Sequence, residues 1–235
     1  MTRLALAACL VCACAPPMVT VPSPDAGCTP GTSVLAPELL NGRDLGGIAT
    51  PNGPLQCGQL FRSAAPSGLK SSGCAGFAQL GIKTVIDLRE ASERLGTPFA
   101  DCVTQQVTTV IAPLPIPYSV SAADYLADLH TDASITKVFE TMADDASWPM
   151  LFNCTYGRDR TGIVAAMVLQ LAGASREDIL VDYRRTADSG LSITPASLEA
   201  ALDELDRLGG AEAHLLSLGL SADAVANVRR HVRGN

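Results

Sequence analysis

The stretch "WPMLFNCTYGRDRTGIVAAMVLQLAGA", residues 148–174, decides the fold because a strand pattern gives way to a helix pattern within it. Its opening segment, residues 148–154, is short and apolar, which is typical of a buried strand. Its closing segment, residues 161–174, is apolar on nearly every side and predicts a core helix that stops near Gly173. The polar loop between the two segments therefore joins a strand end to a helix N-terminus.

The loop residues are suited to binding and attacking an anion. Backbone N–H groups point outward at a helix N-terminus, and the positive end of the helix dipole favours negative charge. The residues between Cys154 and Arg160 can curl their amides around a tetrahedral oxyanion, with Gly157 at the tight turn. The same field favours a thiolate, so Cys154 is predicted to be a nucleophile. These features predict phosphoryl transfer through a cysteinyl-phosphate.

Each remaining side chain of the loop has a predicted role. Arg160 offers a planar fork for two phosphoryl oxygens, and Thr161 is expected to donate a hydrogen bond to the thiolate. The predicted catalytic residues are Cys154, Asp159 and Arg160, and the predicted phosphate-binding residues are Thr155, Tyr156, Gly157, Arg158 and Thr161.

A leaving alkoxide or phenolate needs a proton, so the carboxylates that could reach the loop are candidates for its donor. Asp159 lies inside the loop, whereas Asp124 and Asp128 lie upstream of it on a predicted helix. For these two upstream residues a solvated helix face is the simpler interpretation. The choice among the three carboxylates stays open at this level.

The segment "CTYGRDRTG", residues 154–162, resembles the Cys-five-Arg loop of the protein tyrosine and dual-specificity phosphatase superfamily. It is most similar to the bacterial branch whose loop reads His-Cys-x-x-Gly-Lys-Asp-Arg-x-Gly. The segments that extend the resemblance are "NGRDLGG" (41–47), "GQLFRSAAPSGL" (58–69), "LGIKTVIDLRE" (80–90) and "GGAEAHLLSLGLS" (209–221). It covers about Leu35 to Arg233 and implies a phosphatase acting on phosphotyrosine, and in some members on phosphoserine, phosphothreonine and phosphoinositides.

The resemblance also bears on individual residues. It implies that Asp159 takes the general acid or base role. Asn153 stands where the branch has histidine, so it can still hydrogen-bond but brings no charge. Arg158 stands where the branch has lysine, which keeps the positive charge and favours substrates with more than one phosphate. In "NGRDLGG", Arg43 and Asp44 are expected to set a turn or an ion pair that supports the loop.

Two other functions share these residues. A cysteine-type inositol polyphosphate phosphatase, or phytase, has the same Cys-five-Arg loop and would need a wide basic pocket. A phospho-binding module without turnover would keep the loop while Asn153 leaves the cysteine protonated. The rate at which Cys154 is alkylated at mildly acid pH would distinguish that module from an enzyme.

The rest of the chain predicts one α/β domain with a central, largely parallel sheet flanked by helices. The β-branched run in residues 80–90 is typical of a buried strand, and residues 105–115 are predicted to be a strand ended by prolines. The predicted helices are 121–146 with Ser121 as cap, 175–186 with a capping box from Ser175 to Asp178, and one delimited by Thr194, Pro195 and Gly209.

The net charge and the positions of the histidines restrict which ligands and partners the chain is expected to bind. The net charge of -7 argues against general binding to nucleic acid or to an anionic membrane surface. The three histidines, His130, His214 and His231, lack the spacing of metal ligands. We therefore predict no metal and no cofactor, and a phosphorylated protein or phosphoinositide as substrate.

The N-terminus has the pattern of an export signal. Residues 1–14, "MTRLALAACLVCAC", combine one arginine with a short apolar run. They resemble a bacterial lipoprotein signal with Cys14 as the acylated residue; an ordinary secretory peptide cut nearby is the alternative. Residues 15–33 are predicted to be a Pro-rich tether, and residues 34–235 the phosphatase domain. The expected location is the cell envelope, on its periplasmic or surface side.

Export places the remaining cysteines under oxidising conditions. We favour disulfides between Cys28 and Cys57 and between Cys74 and Cys102, since each pair brackets a short segment; unpaired buried cysteines are the alternative. Cys154 is left as the free thiol.

Overall fold

A computed structural model of the chain describes residue 28, residues 38–115 and residues 121–234. Within these ranges five strands form one sheet: β1 (Arg43–Asp44), β2 (Leu60–Ala64), β3 (Thr84–Asp87), β4 (Thr108–Ile111) and β5 (Met150–Cys154). The strand order is β1-β2-β5-β3-β4, and only the β1–β2 pair among these strands is antiparallel. The predicted central and largely parallel sheet is confirmed.

Helices cover both faces of this sheet. In the described ranges they are α1 (Ser71–Gln79), α2 (Ala91–Gly96), α3 (Asp101–Thr104), α4 (Ala122–Leu129), α5 (Asp132–Ala143), α6 (Asp159–Ala172), α7 (Arg176–Arg184), α8 (Pro195–Arg207), α9 (Gly210–Ser217) and α10 (Ala222–Arg233). Two 3₁₀ turns add Asp145–Ser147 and Arg185–Ser189.

Helix α6 lies in the main core, as its nearly uniform apolar sequence predicts. All of its residues except Gln170 are buried. Gly173 ends the helix with a φ of 89°, a left-handed conformation that favours glycine. A smaller core on the other face of the sheet packs Phe77 of α1 and Val103 of α3 against the strands. The central strand β5 is thus covered on both faces.

The helix boundaries follow local side-chain chemistry in most places. The Ser121 and Ser175 side chains accept hydrogen bonds from the third backbone N–H of α4 and α7, which confirms both residues as caps. The capping box predicted at Ser175 is incomplete, because Asp178 accepts from the Ser175 hydroxyl rather than from its backbone N–H. Thr194 is the N-cap residue of α8 and Pro195 its first residue, as predicted; the Thr194 side chain makes no cap hydrogen bond, and its backbone N–H donates to the Tyr183 hydroxyl at 3.3 Å. The helical pattern over 121–146 is divided into α4 and α5 at His130.

Both predicted disulfides are present. Cys28 joins Cys57, which fastens the start of the described chain to the loop before β2. Cys74 joins Cys102, which links α1 to α3 across the smaller core. Among the described cysteines, Cys154 alone is free, and it is buried.

The export and anchoring predictions for residues 1–14, Cys14 and the tether at 15–33 lie outside the described residues. In the described part of the chain, no helix is both long enough and apolar enough to span a bilayer.

Candidate active site

Cys154 is the last residue of β5, at the edge of the sheet where the parallel strands end. Its register partner on β2 is Ala64, while Asn153 before it pairs with Asp87 on β3. Helix α6 begins at Asp159, so the loop after the cysteine runs into a helix N-terminus. The predicted junction of buried strand, loop and buried helix is therefore formed. The positive end of the α6 dipole lies at the loop.

Gly157 gives the loop its curvature. Its φ is 66°, in the left-handed region. A Cβ atom at this position would lie only 2.5 Å from the backbone nitrogen of Ala64, where β2 ends. The loop therefore needs glycine both for its backbone conformation and for its close approach to β2.

The inner side of the loop offers unused amides. Among the described residues, the backbone N–H groups of Thr155, Tyr156, Gly157 and Arg158 donate no hydrogen bond. Successive free amides beside a helix N-terminus form a site that favours a tetrahedral anion. This arrangement is compatible with the phosphate binding that the sequence predicts, which stays a prediction.

Two side chains hold the loop from behind by its carbonyl groups. The Asn41 amide donates to the Gly157 oxygen at 2.7 Å and to the Tyr156 oxygen at 3.2 Å. The fully buried Arg62 of β2 donates to the same Gly157 oxygen at 2.8 Å. With the carbonyls fixed on this side, the amides are kept facing the other way.

Arg62 belongs to a buried ion cluster, which we call the rear cluster: Arg43, Arg62 and Asp182. Asp182 of α7 accepts from Arg43 Nε at 2.7 Å and from Arg62 Nη1 at 2.5 Å. Burial and then the charge of Arg43 lower the pKa of Arg62 to about 10, against the attraction of Asp182. Arg43 thus forms the expected supporting ion pair, and Asp44 the expected turn by accepting from the amides of Gly46 and Gly58.

Arg160 is held at the opposite side by Glu93 of α2. Its Nη1 and Nη2 donate to the two Glu93 oxygens at 2.6 Å each, and Nη2 also reaches the Thr155 hydroxyl at 3.3 Å. The Thr155 hydroxyl in turn donates to Glu93. Burial alone would raise the pKa of Glu93, but these hydrogen bonds outweigh it and lower the pKa to about 2. The guanidinium is thereby oriented in a bidentate pair.

Asp159 is also hydrogen-bonded on both oxygens. Arg158 Nε lies 2.9 Å from Oδ1 and 2.8 Å from Oδ2, while the Tyr125 hydroxyl donates to Oδ1 at 2.8 Å. Tyr125 also shares a 2.7 Å hydrogen bond with Tyr183. The remaining fork of Arg158 donates to the Ser192 oxygen. Arg158 is therefore engaged by the protein in this structure rather than extended toward a substrate.

Near the cysteine, the prediction for Thr161 is wrong, whereas Asn153 forms a hydrogen bond as expected. The Thr161 hydroxyl is buried without a hydrogen-bond partner among the described residues, so the expected bond to the thiolate is not formed. Its place in the first turn of α6 turns it into the core. Asn153 is buried beside the cysteine, and its amide nitrogen lies 3.3 Å from Asp87 Oδ1. Asp87 is itself bidentately paired with Arg89.

The two upstream carboxylates have different surroundings. Asp124 closes the capping box of α4 with Ser121, as expected of a residue at a helix surface. Asp128 does not lie on a solvated face, so that interpretation was wrong. It is fully buried, because α4 presents it to the interior on the same side as Tyr125, one turn earlier.

The histidines are placed in structural contacts. His130 meets Glu204, His214 meets the Leu129 oxygen, and His231 stacks on Trp148. No group of three or more potential metal ligands occurs in the part of the chain that the structure describes.

The model of the family described as "Tyrosine phosphatase family" matches residues 35–233 of this chain. The chain belongs to the tyrosine phosphatase family. Its relatives are cysteine-based hydrolases, so this phosphatase is a phosphoric monoester hydrolase of the protein-tyrosine-phosphatase type.

Individual relatives agree with the family. The phosphatase is 28% identical to a Cupriavidus necator protein assigned by name to the tyrosine-protein phosphatases, over 89% of this chain and 92% of the relative. It is 29% identical to the Mycobacterium tuberculosis triple specificity protein phosphatase PtpB, over 65% of this chain and 68% of the relative. The core catalytic domain of the PP-IP phosphatase Siw14 from S. cerevisiae matches with a TM-score of 0.45 and 17% identity, over 69% and 93% of the two chains.

Several residues that shape the phosphatase site were not found by sequence reasoning. The residues that contact the loop or its supports are Glu93, Arg62, Asp182 and Tyr125. Arg62 carried a signal, since an arginine inside the apolar run of β2 has to be paired if the run is buried. The others are single residues on amphipathic helices, and the sequence shows no signal that separates them from their neighbours.

Proposed function

We propose that this phosphatase hydrolyses phosphotyrosine-type monoesters through a phosphocysteine at Cys154. One observation carries the proposal: the free, buried thiol lies at the base of a loop whose amides are unused, between a helix N-terminus and Arg160. A phosphoryl group placed against the loop amides would have its phosphorus next to the sulfur. The loop would then stabilise the charge on the phosphoryl oxygens during transfer.

In the first step the Cys154 sulfur attacks phosphorus, and the bond from phosphorus to the leaving oxygen breaks. The loop amides and Arg160 bind the phosphoryl oxygens while the leaving oxygen takes up a proton. Glu93 keeps the guanidinium of Arg160 at the loop before substrate arrives. This preorganisation avoids paying for the orientation of a long side chain at the moment of reaction.

In the second step water attacks phosphorus, the S–P bond breaks, and the thiolate is restored. A base has to accept the proton of that water. Asp159 is placed for this half of the reaction, because its carboxyl lies at the start of α6 beside the loop and is held there by hydrogen bonds from Arg158 and the Tyr125 hydroxyl. Inorganic phosphate is then released.

An aromatic phosphoester is the favoured substrate class. Tyr156 in the middle of the loop is 52% exposed although its neighbours Cys154 and Gly157 are buried, so its ring is available to pack on an aryl group. PtpB, named a triple specificity phosphatase, is a relative over about two thirds of the chain, which supports additional activity on other phosphoesters. A polyphosphorylated inositol is less favoured, because Arg158 is already engaged by Asp159 and Ser192.

We also propose, from the sequence of residues 1–14 alone, that the chain is exported and attached to the cell envelope through a lipid on Cys14. Expressed in a bacterial host, the parent should partition into the detergent phase of a Triton X-114 extract, and Cys14→Ser should not. Equal partition of the two chains would refute the anchor.

The activity is tested with the full chain and p-nitrophenyl phosphate in the presence of EDTA, beside Cys154→Ser. We expect turnover by the parent, none by the variant, and a phosphocysteine trapped by acid quench in the parent alone. If the parent retains phosphate binding but shows no turnover of any aryl phosphate, the chain is a phospho-binding module. Turnover that survives Cys154→Ser would refute the cysteine mechanism.

A further inference from the structure

The first step of the proposed reaction needs a group that carries a proton at rest. Asp159 is poorly suited to that task, although it is the carboxylate of the loop. Both of its oxygens are already occupied as acceptors, by the Arg158 guanidinium and by the Tyr125 hydroxyl. A second carboxyl with the opposite environment is therefore required.

Asp128 has that opposite environment. It is 0% exposed, and neither of its side-chain oxygens has a hydrogen-bond partner among the described residues. It follows Tyr125 by one turn on the buried face of α4, and the Tyr125 hydroxyl reaches Asp159 at the start of α6. Helix α4 packs against α6 and α8, so its buried face, which carries Asp128, adjoins the loop helix. A buried carboxylate without a donor is costly and takes a proton instead.

The charges around Asp128 come from α4, α6, α8 and the N-cap of α2. Burial is the main cause that raises the pKa of Asp128, to about 8; the charge of Arg160 on α6 opposes it, while those of Asp159, Asp124 and Glu90 add to it. From α8, Glu204 is paired with His130 at the end of α4. Asp128 is therefore neutral at pH 7 and close enough to Arg160 to respond to its charge.

We propose that Asp128 supplies the proton to the leaving oxygen, directly or through one water molecule. This inference rests on the proposed function and divides its acid and base work between two carboxyls. Pairs of carboxyls with opposed environments divide acid and base roles in this way in well-studied hydrolases. The neutral one donates, and the ionised one accepts.

The proton balance closes over one cycle. In the first step the S–P bond forms, the P–O bond breaks, the proton of Asp128 goes to the leaving oxygen, and Asp128 becomes a carboxylate. In the second step water gives its oxygen to phosphorus and one proton to Asp159, and the S–P bond breaks. Proton exchange with solvent then returns Asp159 to its carboxylate form and Asp128 to its acid form. The net reaction consumes one ester and one water.

The test compares Asp128→Asn with Asp159→Asn and with Asp124→Asn, a matched control on the same helix as Asp128. Each is assayed with phosphotyrosine, whose phenolate needs a proton, and with p-nitrophenyl phosphate, whose phenolate leaves more easily. We expect Asp128→Asn to lower kcat/KM for phosphotyrosine by about 100-fold or more, and for p-nitrophenyl phosphate by less than about 10-fold. Asp124→Asn should leave both within about 2-fold, because only the helix cap changes.

Two further readouts separate proton donation from a structural role. The parent should lose activity on phosphotyrosine as pH rises through about 8, where Asp128 loses its proton, and Asp128→Asn should lack this limb. Asp128→Glu, which keeps an acid at the site, should recover part of the phosphotyrosine activity. If Asp128→Asn does not fold, the activities of Asp128→Glu on the two substrates, together with the pH at which its phosphotyrosine activity falls, decide the question.

Equal losses on the two substrates, or no loss on either, would overturn the role of Asp128. The role of Asp128 would also be overturned if Asp128→Asn lost phosphotyrosine activity at alkaline pH in the same way as the parent. These results leave the cysteine mechanism standing, provided that the parent turns over p-nitrophenyl phosphate and Cys154→Ser does not. A parent without any turnover would instead refute the proposed function itself.

Discussion

The rear cluster and the interior face of α4 are both buried regions beside the same loop, yet they treat charge in opposite ways. In the rear cluster, Asp182 is paired with Arg43 and with Arg62. On α4, Asp128 is equally buried and has no hydrogen-bond partner within the described ranges. The groups of the rear cluster stay charged because each has a partner of opposite charge. Asp128 on α4 has no such hydrogen-bonded partner, and burial favours its neutral form.

The difference indicates what each region does for the loop. Matched charges fix geometry, and the rear cluster uses Arg62 to hold the Gly157 carbonyl. An unmatched carboxyl contributes nothing to geometry and costs stability. Its retention is explained if the proton it carries is used in the reaction. Three substitutions test this difference: one in the rear cluster, one in the loop that the rear cluster holds, and one at the buried carboxyl of α4.

The largest effect is expected from Asp182→Asn, which leaves two buried guanidinium groups without a counter-charge. Loss of one partner from a buried ion cluster costs about 3–5 kcal/mol. We expect this loss in the free energy of unfolding measured with urea, with phosphate binding weakened as well. Glu177→Gln is the control on the same helix, because its pair with Arg184 is exposed and should be worth less than about 0.5 kcal/mol. If the two variants lost the same free energy of unfolding, the rear cluster would be no more stabilising than an exposed ion pair.

A smaller loss is expected from Gly157→Ala, which acts on the loop that the rear cluster holds. The left-handed φ and the close approach to Ala64 together should cost about 2–4 kcal/mol and abolish phosphate binding. Gly68→Ala is a matched control, since Gly68 has the same φ of 66° and nothing near the position of its Cβ. It should cost only about 1 kcal/mol from the backbone conformation. Retained phosphate binding in Gly157→Ala would contradict the arrangement of the loop.

The only gain is expected from Asp128→Leu. Removing a buried carboxyl without a partner should raise the free energy of unfolding while activity on phosphotyrosine is lost. Because the folded pKa of about 8 lies above the unfolded value near 3.8, the parent loses stability relative to the variant as pH rises from about 4 to 8. The gain should therefore grow by more than about 1.4 kcal/mol, one pKa unit, between these pH values. A gain that is independent of pH would show that Asp128 is ionised in the folded chain.

Local patterns in the sequence predict the strand, the loop and α6, because each depends on neighbouring residues alone. The same holds for the caps at Ser121 and Ser175. The sequence pattern does not predict strand β2, because Arg62 interrupts its apolar run. That arginine can be buried because it pairs with Asp182.

The supports of the loop could not be predicted, since they join residues far apart in sequence. Arg62 meets the Gly157 carbonyl across 95 positions, and Arg43 meets Asp182 across 139. Asp128 was interpreted as a surface residue because an isolated aspartate on a helix usually is one. Only the packing of α4 against two other helices reveals its burial.

The two disulfides have a consequence for how the enzyme meets oxidants. Within the described residues they leave Cys154 as the sole thiol, with no second thiol to form an internal disulfide. Without a second thiol from the described residues, a sulfenic acid formed there can condense reversibly with a backbone nitrogen or with a small thiol from solution. Recovery from peroxide would then depend on the reductant around the protein, and a prolonged exposure would carry the sulfur on to its irreversible acids.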